Sequence, residues 1–377
     1  MYFPPEWHEQ EFVQLTWPHE QTDWAPILDE VYDCFIKMAL EISKRENLLI
    51  LAQKPDELWT LLESLGKFSE KELDRITILP CQNNDTWARD HAFLSCLGIE
   101  AGTSKRYLLD YQFNGWGMKF AANLDNQINK NLYPSFNQED NIYVNHLDFV
   151  LEGGSIESDG KGTLLTTSSC LLAPNRNDSM IRADIEKRLL HDLQAKQLLW
   201  LDDGYLAGDD TDGHIDTMAR LCPNDTIAYV SCSDSSDEHY EALKRMEKQL
   251  KSFRTIEGNP FRLVPLPMAP ALFEESENSS SAHPSKKQRL PSTYANFLII
   301  NNAVLYPTYG NAALDKEAGE RIRQCFTGRE IVGIDCRVLV RQHGSLHCSA
   351  MQYPAILNDN DNLNNDNHNH NDNCRPD

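Results

Sequence analysis

A cysteine near the end of the chain has the local sequence of a reactive thiol. Cys348 follows the turn-forming residues Gly344 and Ser345, which come after the apolar run 336–340 that we interpret as a strand. A cysteine acts as a nucleophile in its thiolate form, which nearby positive charge favours, including the charge of a cationic substrate. The turn alone is equally compatible with a buried structural cysteine, so the interpretation depends on partner residues.

His214 and Asp216 supply such partners within the acidic segment 208–216. His214 directly precedes residues 215–221, which are predicted to be extended, and alternate residues of a strand, here His214 and Asp216, point to the same side. A histidine oriented by a carboxylate is a competent general base and general acid. A lone histidine is more often structural, and the flanking acids are what favour a chemical role.

Two further carboxylates stand where the chain turns. Asp90 ends a loop, and Glu152 precedes the Gly153–Gly154 turn, where glycine lets the backbone come close to a ligand. Asp90 and Asp216 together could clamp a planar guanidinium through paired hydrogen bonds, and Glu152 could pair with His214. Considered singly, each of these carboxylates is better explained as a turn or helix-cap residue.

The acids of segment 209–216 also suggest a metal site. As a calcium loop the segment fails, because with Gly213 at the sixth position the first and twelfth positions fall on Gly208 and Ala219, which have no carboxylate. A zinc site would need more histidine or cysteine at ligand spacing. A magnesium-type carboxylate site stays open, so a metal-dependent hydrolase is one alternative.

Composition narrows the class of protein. The 377 residues include 57 acidic and 35 basic side chains, a net charge of −22, which disfavours nucleic-acid binding and suits a small cationic partner. The first residues do not resemble a signal peptide, and no apolar run approaches the roughly 20 residues of a membrane span. Ten scattered cysteines without paired spacing indicate reduced thiols. We therefore expect a cytoplasmic protein, and the sequence leaves its oligomeric state open, a homo-oligomer included.

A repeated pattern indicates how distant loops could share one site. A strand–helix–strand pattern starts at residues 163, 226 and 303, and each copy follows a further strand and a turn. A closed ring of such ββαβ units leaves no edge strands and brings a loop from each unit to a central axis. An open α/β sheet is the alternative. We expect one catalytic domain over residues 1–357, a disordered surface insertion at 271–292 and a disordered Asn/Asp-rich tail at 358–377.

Taken together, the motifs resemble the agmatine deiminase family, relatives of the bacterial peptidyl-arginine deiminases. Any one of the matching segments is weak evidence, but the set in order is specific and spans residues 1 to about 354. The segments are 5–10, 17–18, 84–90, 113–117, 151–155, 208–216 and 347–348.

The resemblance implies a five-bladed α/β propeller, which agrees with the repeat, and hydrolysis of a guanidinium group with no metal or cofactor. By position, Cys348 is implied to be the nucleophile and His214 the proton-transfer residue. Asp90 and Asp216 are implied to clamp the guanidinium, with Glu152 as a supporting carboxylate. The implied pocket residues are Trp87, Trp116 and Asp210.

The implied reaction converts agmatine to N-carbamoylputrescine and ammonia through a covalent thiouronium on Cys348, in polyamine (putrescine) synthesis. Two departures from the family pattern bear on the substrate. The usual Gly-Gly-Gly-Asn-Ile-His-Cys loop is replaced by 342–348, and Asp210 replaces a glutamate. A deiminase for arginine or peptidyl-arginine is therefore the nearest alternative, and a binding module without turnover is a further one.

Overall fold

The structure, a computed structural model, describes residues 1–274 and 288–356. Within these residues the strands are β1 (Gln10–Thr16), β2 (Asn47–Ala52), β3 (Ile76–Pro80), β4 (Leu94–Glu100), β5 (Thr103–Gln112), β6 (Asn141–Val150), β7 (Ile156–Ser158), β8 (Thr163–Thr167), β9 (Gln197–Leu201), β10 (Ala219–Cys222), β11 (Thr226–Val230), β12 (Arg262–Leu266), β13 (Leu298–Ile300), β14 (Ala303–Thr308), β15 (Glu330–Asp335) and β16 (Ala350–Pro354). The helices are α1 (Leu28–Ser43), α2 (Pro55–Ser64), α3 (Glu70–Leu73), α4 (Ala88–His91), α5 (Gly115–Met118), α6 (Ile128–Leu132), α7 (Ser168–Leu171), α8 (Arg182–Asp192), α9 (Tyr240–Leu250) and α10 (Ala312–Cys325).

The strands form five separate small sheets, so the fold is mixed α/β and the alternative of one open sheet is wrong. Four sheets have three strands each, β4-β5-β6, β7-β8-β9, β10-β11-β12 and β13-β14-β15. In each, the first two strands are antiparallel and the last two are parallel. A hairpin can join the antiparallel pair, whereas the parallel pair needs a crossover, which α8, α9 and α10 supply in the last three. The repeated ββαβ unit is thus confirmed.

The fifth sheet joins the two ends of the described chain. Its strand order is β16-β1-β2-β3, with β16 antiparallel to β1 and β1 parallel to β2. Strand β16 therefore takes the place that the first strand of the unit has in the other sheets, although it comes last in sequence. Arg106 on β5 strengthens this closure, because its buried guanidinium donates to the carbonyl of Pro354.

Apolar residues at helix and strand spacing build the core. Helix α9 buries Leu243, Met246 and Leu250 on one face, as the three- and four-residue spacing requires. The short strand β13 and its partner β14 pair Leu298 with Leu305, and both side chains are fully buried. The buried face of α9 and the β13–β14 pair thus belong to one hydrophobic cluster.

Two local predictions fail for the same reason. Residues 336–340 are not a strand, since a 3-10 helix spans Leu339–Gln342 and ends at His343 in a left-handed conformation. The strand predicted over 215–221 is wrong for its first residues, since a 3-10 helix spans Ile215–Thr217, and it is confirmed only from Ala219, where β10 begins. In both places apolar side chains are buried by a turn of helix, which a short apolar run does not distinguish from a strand.

The segment predicted as a surface insertion is folded at both ends. Phe273 forms a β-bridge with Arg289, and Leu290 and Ser292 are buried. The disorder predicted for 271–292 is therefore wrong for these flanks. Residues 275–287, and the tail predicted at 358–377, lie outside the described residues.

Two further sequence expectations concern thiols and membranes. The nine cysteines of the described residues are free, and all but Cys81 are buried, as expected for reduced thiols. Within 1–274 and 288–356, no helix combines the length and apolarity needed to cross a membrane.

Replacing Leu305 by alanine tests the packing of the sheets. The side chain is fully buried on β14, so its loss should lower the free energy of unfolding by about 2–5 kcal/mol. Urea unfolding followed by tryptophan fluorescence measures this change. The control Ile181→Ala removes a side chain that is 69% exposed and should stay within about 0.5 kcal/mol of the wild type. Equal effects of the two substitutions would contradict the described core.

Candidate active site

A cavity of about 260 Å³ contains five of the eight predicted site residues. Cys348 and Asp90 lie at its buried end. The other residues of its lining are Asp23, Asp85, Trp87, Trp116, Phe120, Asp210, Thr211, Arg341, Gln342, His343 and Gly344. His214, Asp216 and Glu152 are packed behind this lining, and each is almost completely buried. The structure thus brings together all four segments singled out in the sequence.

The Cys348 thiol is held by a residue that sequence reasoning missed. Its Sγ lies 3.4 Å from Oδ1 of Asn296, to which the thiol donates, and 3.8 Å from Oδ2 of Asp216. The same Asn296 oxygen accepts the backbone N–H of His347 at 2.9 Å. Burial raises the pKa of the Cys348 thiol well above its usual range, and the negative charges of Asp216 and Asp90 raise it further. The thiol is therefore protonated until positive charge arrives beside it.

Asp216 has one oxygen engaged and the other unpartnered. His347 Nδ1 lies 2.7 Å from Asp216 Oδ2, whereas Oδ1 is buried with no hydrogen-bond partner among the described residues. Burial would raise the pKa of Asp216, but the hydrogen bond and charge of His347 more than offset it, so this pKa is lowered. Asp216 is thus an anion with an oxygen available to a donor.

Asp90 is the second buried carboxylate of the cavity. Its Oδ1 accepts the backbone N–H of Gly154 at 2.9 Å, and its Oδ2 accepts the Trp116 indole N–H at 2.9 Å. Burial raises the pKa of Asp90, the charge of His214 lowers it in part, and the charge of Asp216 raises it again. Two carboxylates with opposed pKa shifts at one cavity end form a site that a cation would stabilise.

His214 lies between the two aspartates and Cys170. Its Nδ1 is 3.7 Å from Asp90 Oδ1, and neither ring nitrogen has a hydrogen-bond partner among the described residues. Burial would lower the pKa of His214, but the charges of Asp90, Cys170 and Asp216 raise it well above its usual range. The imidazolium form, a proton donor, is therefore favoured in the absence of a ligand.

Gly154 explains why the Gly-Gly turn is present. A Cβ at this position would lie 2.5 Å from His214 Nδ1, 2.9 Å from Asp90 Oδ1 and 3.1 Å from Asp216 Oδ2. The sequence predicted a close approach of this turn to a ligand, whereas the structure shows the backbone close to three side chains and its N–H donated to Asp90. Glycine is required because any side chain would separate the three groups.

Glu152 pairs with an arginine that sequence reasoning missed. Arg176 Nε lies 3.1 Å from both carboxylate oxygens of Glu152, and its Nη1 lies 2.6 Å from Asp212. Glu152, Cys170 and His214 each have a ligating atom within 4.8 Å of the others. Glu152 therefore lies beside His214 but is hydrogen-bonded to Arg176, and the suggested pairing with His214 is not found among the described residues. No sequence pattern marks Arg176, whereas Asn296 could have been found because it precedes β13 as Cys348 precedes β16.

The outer part of the cavity is aromatic and mostly acidic. The Trp87 ring packs against Gly344, where a Cβ would lie 2.2 Å from the ring. Burial raises the pKa of Asp85 to about 6. Burial also raises the pKa of Asp210 to about 6, with His343 opposing this effect and Asp209 adding to it. The Phe120 and Trp116 rings meet edge to face at 5.5 Å.

The acids of segment 209–216 do not assemble a metal site. Two groups of three potential ligands occur in the described residues, Glu152 with Cys170 and His214, and Glu6 with Glu157 and His347. Neither group includes an aspartate of 209–216. In the segment itself, Asp209 accepts from Thr211 Oγ1 and from the backbone N–H of Gly213, which is the role of a turn residue. The alternative of a metal-dependent hydrolase was based on the acids of 209–216, and their positions do not support it.

The arrangement can bind a flat cation and attack it. A thiol, two carboxylates and an imidazolium meet at one end of a narrow cavity, and an incoming cation would lower the thiol pKa that the aspartates raise. Delocalised planar cations with several N–H donors fit opposed carboxylates best. The reaction that this geometry suits is nucleophilic displacement at an amidine-like carbon.

Comparison with known proteins agrees with this chemistry. The family described as Porphyromonas-type peptidyl-arginine deiminase matches residues 2–354. A curated relative named "Putative agmatine deiminase", from Marinomonas sp. (strain MWYL1), is 30% identical over 370 residues, which cover 93% of this chain and 94% of the relative.

Two solved structures are similar over nearly the whole chain. One is a "Putative Arginine Deiminase" from Porphyromonas gingivalis, at 48% identity and a TM-score of 0.83, covering 93% of this chain and 98% of that one. The other is an agmatine deiminase of C. jejuni, a cysteine-to-serine variant with substrate bound, at 36% identity and a TM-score of 0.80, covering 94% of this chain and 96% of that one.

The raised pKa of Cys348 can be tested by alkylation without any substrate. Because Asp216 raises this pKa, Asp216→Asn should increase the rate of iodoacetamide labelling of Cys348 about tenfold at pH 8, the change expected from a shift of roughly one unit. Mass spectrometry of the labelled peptide measures the rate. The control Asp23→Asn changes a carboxylate of the same cavity that does not face the thiol and should leave the rate unchanged. Identical rates in the wild type and Asp216→Asn would contradict the electrostatic account.

Proposed function

The chain belongs to the Porphyromonas-type peptidyl-arginine deiminase family and is an enzyme of the agmatine deiminase type, and we propose that it hydrolyses the guanidinium group of agmatine to N-carbamoylputrescine and ammonia. The observation that carries the proposal is the position of the Cys348 thiol, which lines the cavity together with Asp90 and lies 3.8 Å from Asp216, a second buried aspartate packed behind that lining.

Substrate binding follows from the charges. The guanidinium lies between Asp90 and Asp216 and donates to Asp216 Oδ1, the oxygen without a partner among the described residues. Its positive charge favours the Cys348 thiolate, so the nucleophile forms when the substrate is bound. The released proton goes to bulk solvent, because His214, whose pKa is raised, is already protonated when the substrate binds.

The reaction then proceeds in two stages. Cys348 Sγ bonds to the guanidinium carbon, the His214 imidazolium protonates a terminal nitrogen, and the C–N bond breaks to release ammonia and leave a thiouronium. Neutral His214 then takes a proton from water as the water oxygen bonds to the carbon. The C–S bond breaks, Cys348 leaves as thiolate, and the ureido product departs after losing a proton.

Glu152 and Arg176 lie behind the cavity lining and stabilise the site during this reaction cycle. Their charges compensate each other in a site that excludes water, and Glu152 lies beside His214. A single buried carboxylate there would be costly to ionise. Arg176 thus keeps the Glu152 carboxylate next to His214, both when His214 is neutral and when it is an imidazolium.

The outer cavity suits the rest of agmatine. Its aliphatic chain would lie against Trp87, Trp116 and Phe120, and its terminal ammonium would meet Asp85 or Asp210. We also assign this enzyme to polyamine synthesis in the cytoplasm, where the free cysteines of the described residues would stay reduced.

We further propose that the five sheets are the blades of a five-bladed propeller around the site. Five site residues occupy equivalent places, each in the segment before the strand that pairs antiparallel within its sheet. They are Asp90 before β4, Glu152 before β7, Asp216 before β10, Asn296 before β13 and Cys348 before β16. A ring with one contribution from each sheet explains this regularity.

Arginine, free or at a peptide terminus, is the second candidate substrate. Arg341 lines the cavity, with its Nη1 3.1 Å from Glu30, and could turn to a substrate carboxylate that agmatine lacks. His343, which replaces a glycine of the family pattern, lines the same wall.

A substrate panel with Cys348→Ala tests the reaction. Ammonia release from agmatine, arginine and a C-terminal arginine peptide is measured side by side, and agmatine should give the highest kcat/KM. Cys348→Ala should lose at least ~10⁴-fold because no other group can form the covalent intermediate. Cys81→Ala, a half-buried thiol away from the cavity, is the matched control and should keep wild-type activity. Turnover by Cys348→Ala would refute the nucleophile.

Arg341→Ala separates the two candidate substrates. If agmatine is the substrate, the substitution should change its kcat/KM by less than about threefold, because the side chain is partly exposed and paired with Glu30. If arginine is the substrate, the same variant should lose about tenfold or more, as expected on losing a charged hydrogen bond to the α-carboxylate. Parallel kinetics on both compounds decide between them.

A further inference from the structure

A buried chain of hydrogen bonds runs from Asp216 away from the cavity. It passes through His347, the residue before the nucleophile, and ends at Glu6 in the N-terminal segment. We propose that His347 is a positioning residue, which with Glu6 holds the Asp216 carboxylate so that its Oδ1 faces the guanidinium. The inference rests on the proposed function for its kinetic part only.

His347 is placed to donate from both ring nitrogens. Nδ1 lies 2.7 Å from Asp216 Oδ2, and Nε2 lies 2.7 Å from Glu6 Oε1. Arg220 Nη2 also lies 3.0 Å from Nε2, a longer separation than that to the Glu6 carboxylate. The groups that face the ring are thus three carboxylates and one guanidinium, because Glu157 also has a carboxylate oxygen within 4.8 Å of a ring nitrogen.

Glu6 is itself held from several sides. Its Oε2 accepts from Arg220 Nη2 at 2.7 Å and from Gln352 Nε2 at 3.1 Å, and Arg89 Nη1 lies 3.2 Å from Oε1. Arg220 is fully buried and also binds Glu157 and two backbone carbonyls. These contacts fix the position of the Glu6 carboxylate, which accepts from His347. The N-terminal motif that contains Glu6 thereby takes part in positioning, although it has no part in the reaction steps.

The hydrogen bond from His347 fixes the orientation of the Asp216 carboxylate. An aspartate carboxylate rotates readily about its last bond, because that torsion has a broad energy profile. Engaging Oδ2 with His347 fixes the plane of the carboxylate and leaves Oδ1 as the only oxygen free for substrate. Correct orientation of a clamp of this kind contributes to the rate as well as to binding.

Two substitutions of His347 separate positioning from packing. Asn places an amide near the position of Nδ1 and can still donate to Asp216, whereas Gln reaches toward Glu6 instead. We expect His347→Gln to lose about 100-fold in kcat/KM for agmatine, mostly in kcat. His347→Asn should lose less than about tenfold. Thermal unfolding of both variants shows whether they remain folded.

The pH dependence of kcat/KM distinguishes positioning from packing, because a loss of packing alone would not change it. Because His347 lowers the pKa of Asp216, its removal should raise that pKa, so that Asp216 takes up a proton at a higher pH. The acidic limb of kcat/KM should therefore move upward by about one unit in His347→Gln, and by less in His347→Asn. The same limb in both variants and wild type would overturn the proposal.

An NMR measurement tests the hydrogen bond from His347 to Asp216 without any turnover of substrate. In wild-type protein labelled with ¹⁵N-histidine, the signals that disappear in His347→Asn should show a proton on Nδ1, the atom 2.7 Å from Asp216 Oδ2. An Nδ1 without a proton would overturn the proposal, even if the enzyme hydrolyses agmatine. Absence of turnover by the wild type on every guanidine of the panel would instead refute the proposed function and leave this result standing.

If His347→Gln does not fold, Glu6→Gln tests the positioning proposal in its place. The amide keeps the size of Glu6 but has no charge, so the hold on His347 weakens and the acidic limb should move upward as well. An unchanged limb together with unchanged kcat in folded Glu6→Gln would overturn the part assigned to Glu6.

Discussion

Opposite charges buried together at the centre of the fold are the interaction on which the rest of the structure depends. Asp90 and Asp216 share one end of the cavity, with His214 beside the first and His347 bonded to the second. Behind them, Arg176 pairs with Glu152. An isolated ionised group at this depth would cost several kcal/mol, so each charge requires its partner in place. Substrate binding adds one more cation to a site that is otherwise short of positive charge around the thiol.

The way in which the chain closes makes this assembly possible. Strand β16 pairs with β1, which fixes Cys348, two residues before β16, against segments from the middle of the chain. The N-terminal segment is fixed by the same closure, so Glu6 reaches His347. Residues far apart in sequence thus become neighbours through strand pairing, and the site cannot form before both ends of the described chain are in place.

Close backbone approach is the second requirement of the site. Gly154 touches His214, Asp90 and Asp216, and Gly344 lies against the Trp87 ring, so neither position has room for a side chain. In the same loop, His343 adopts a left-handed conformation and brings an imidazole to the cavity wall. The loop before Cys348 therefore combines strict steric limits at Gly344 with freedom in the side chains that face the outer part of the cavity.

The sequence by itself determined the repeating unit with its helices and singled out the side chains that we propose to react, because periodic burial and short polar motifs are local properties. It did not determine that 215–217 and 339–342 are turns of 3-10 helix, since a short apolar run fits either structure. Only the tertiary structure decided the partners, including Asn296 at the thiol, Arg176 on Glu152 and His347 on Asp216. Those pairings join residues dozens to more than a hundred positions apart, or depend on side-chain direction within a turn, and no local pattern encodes either.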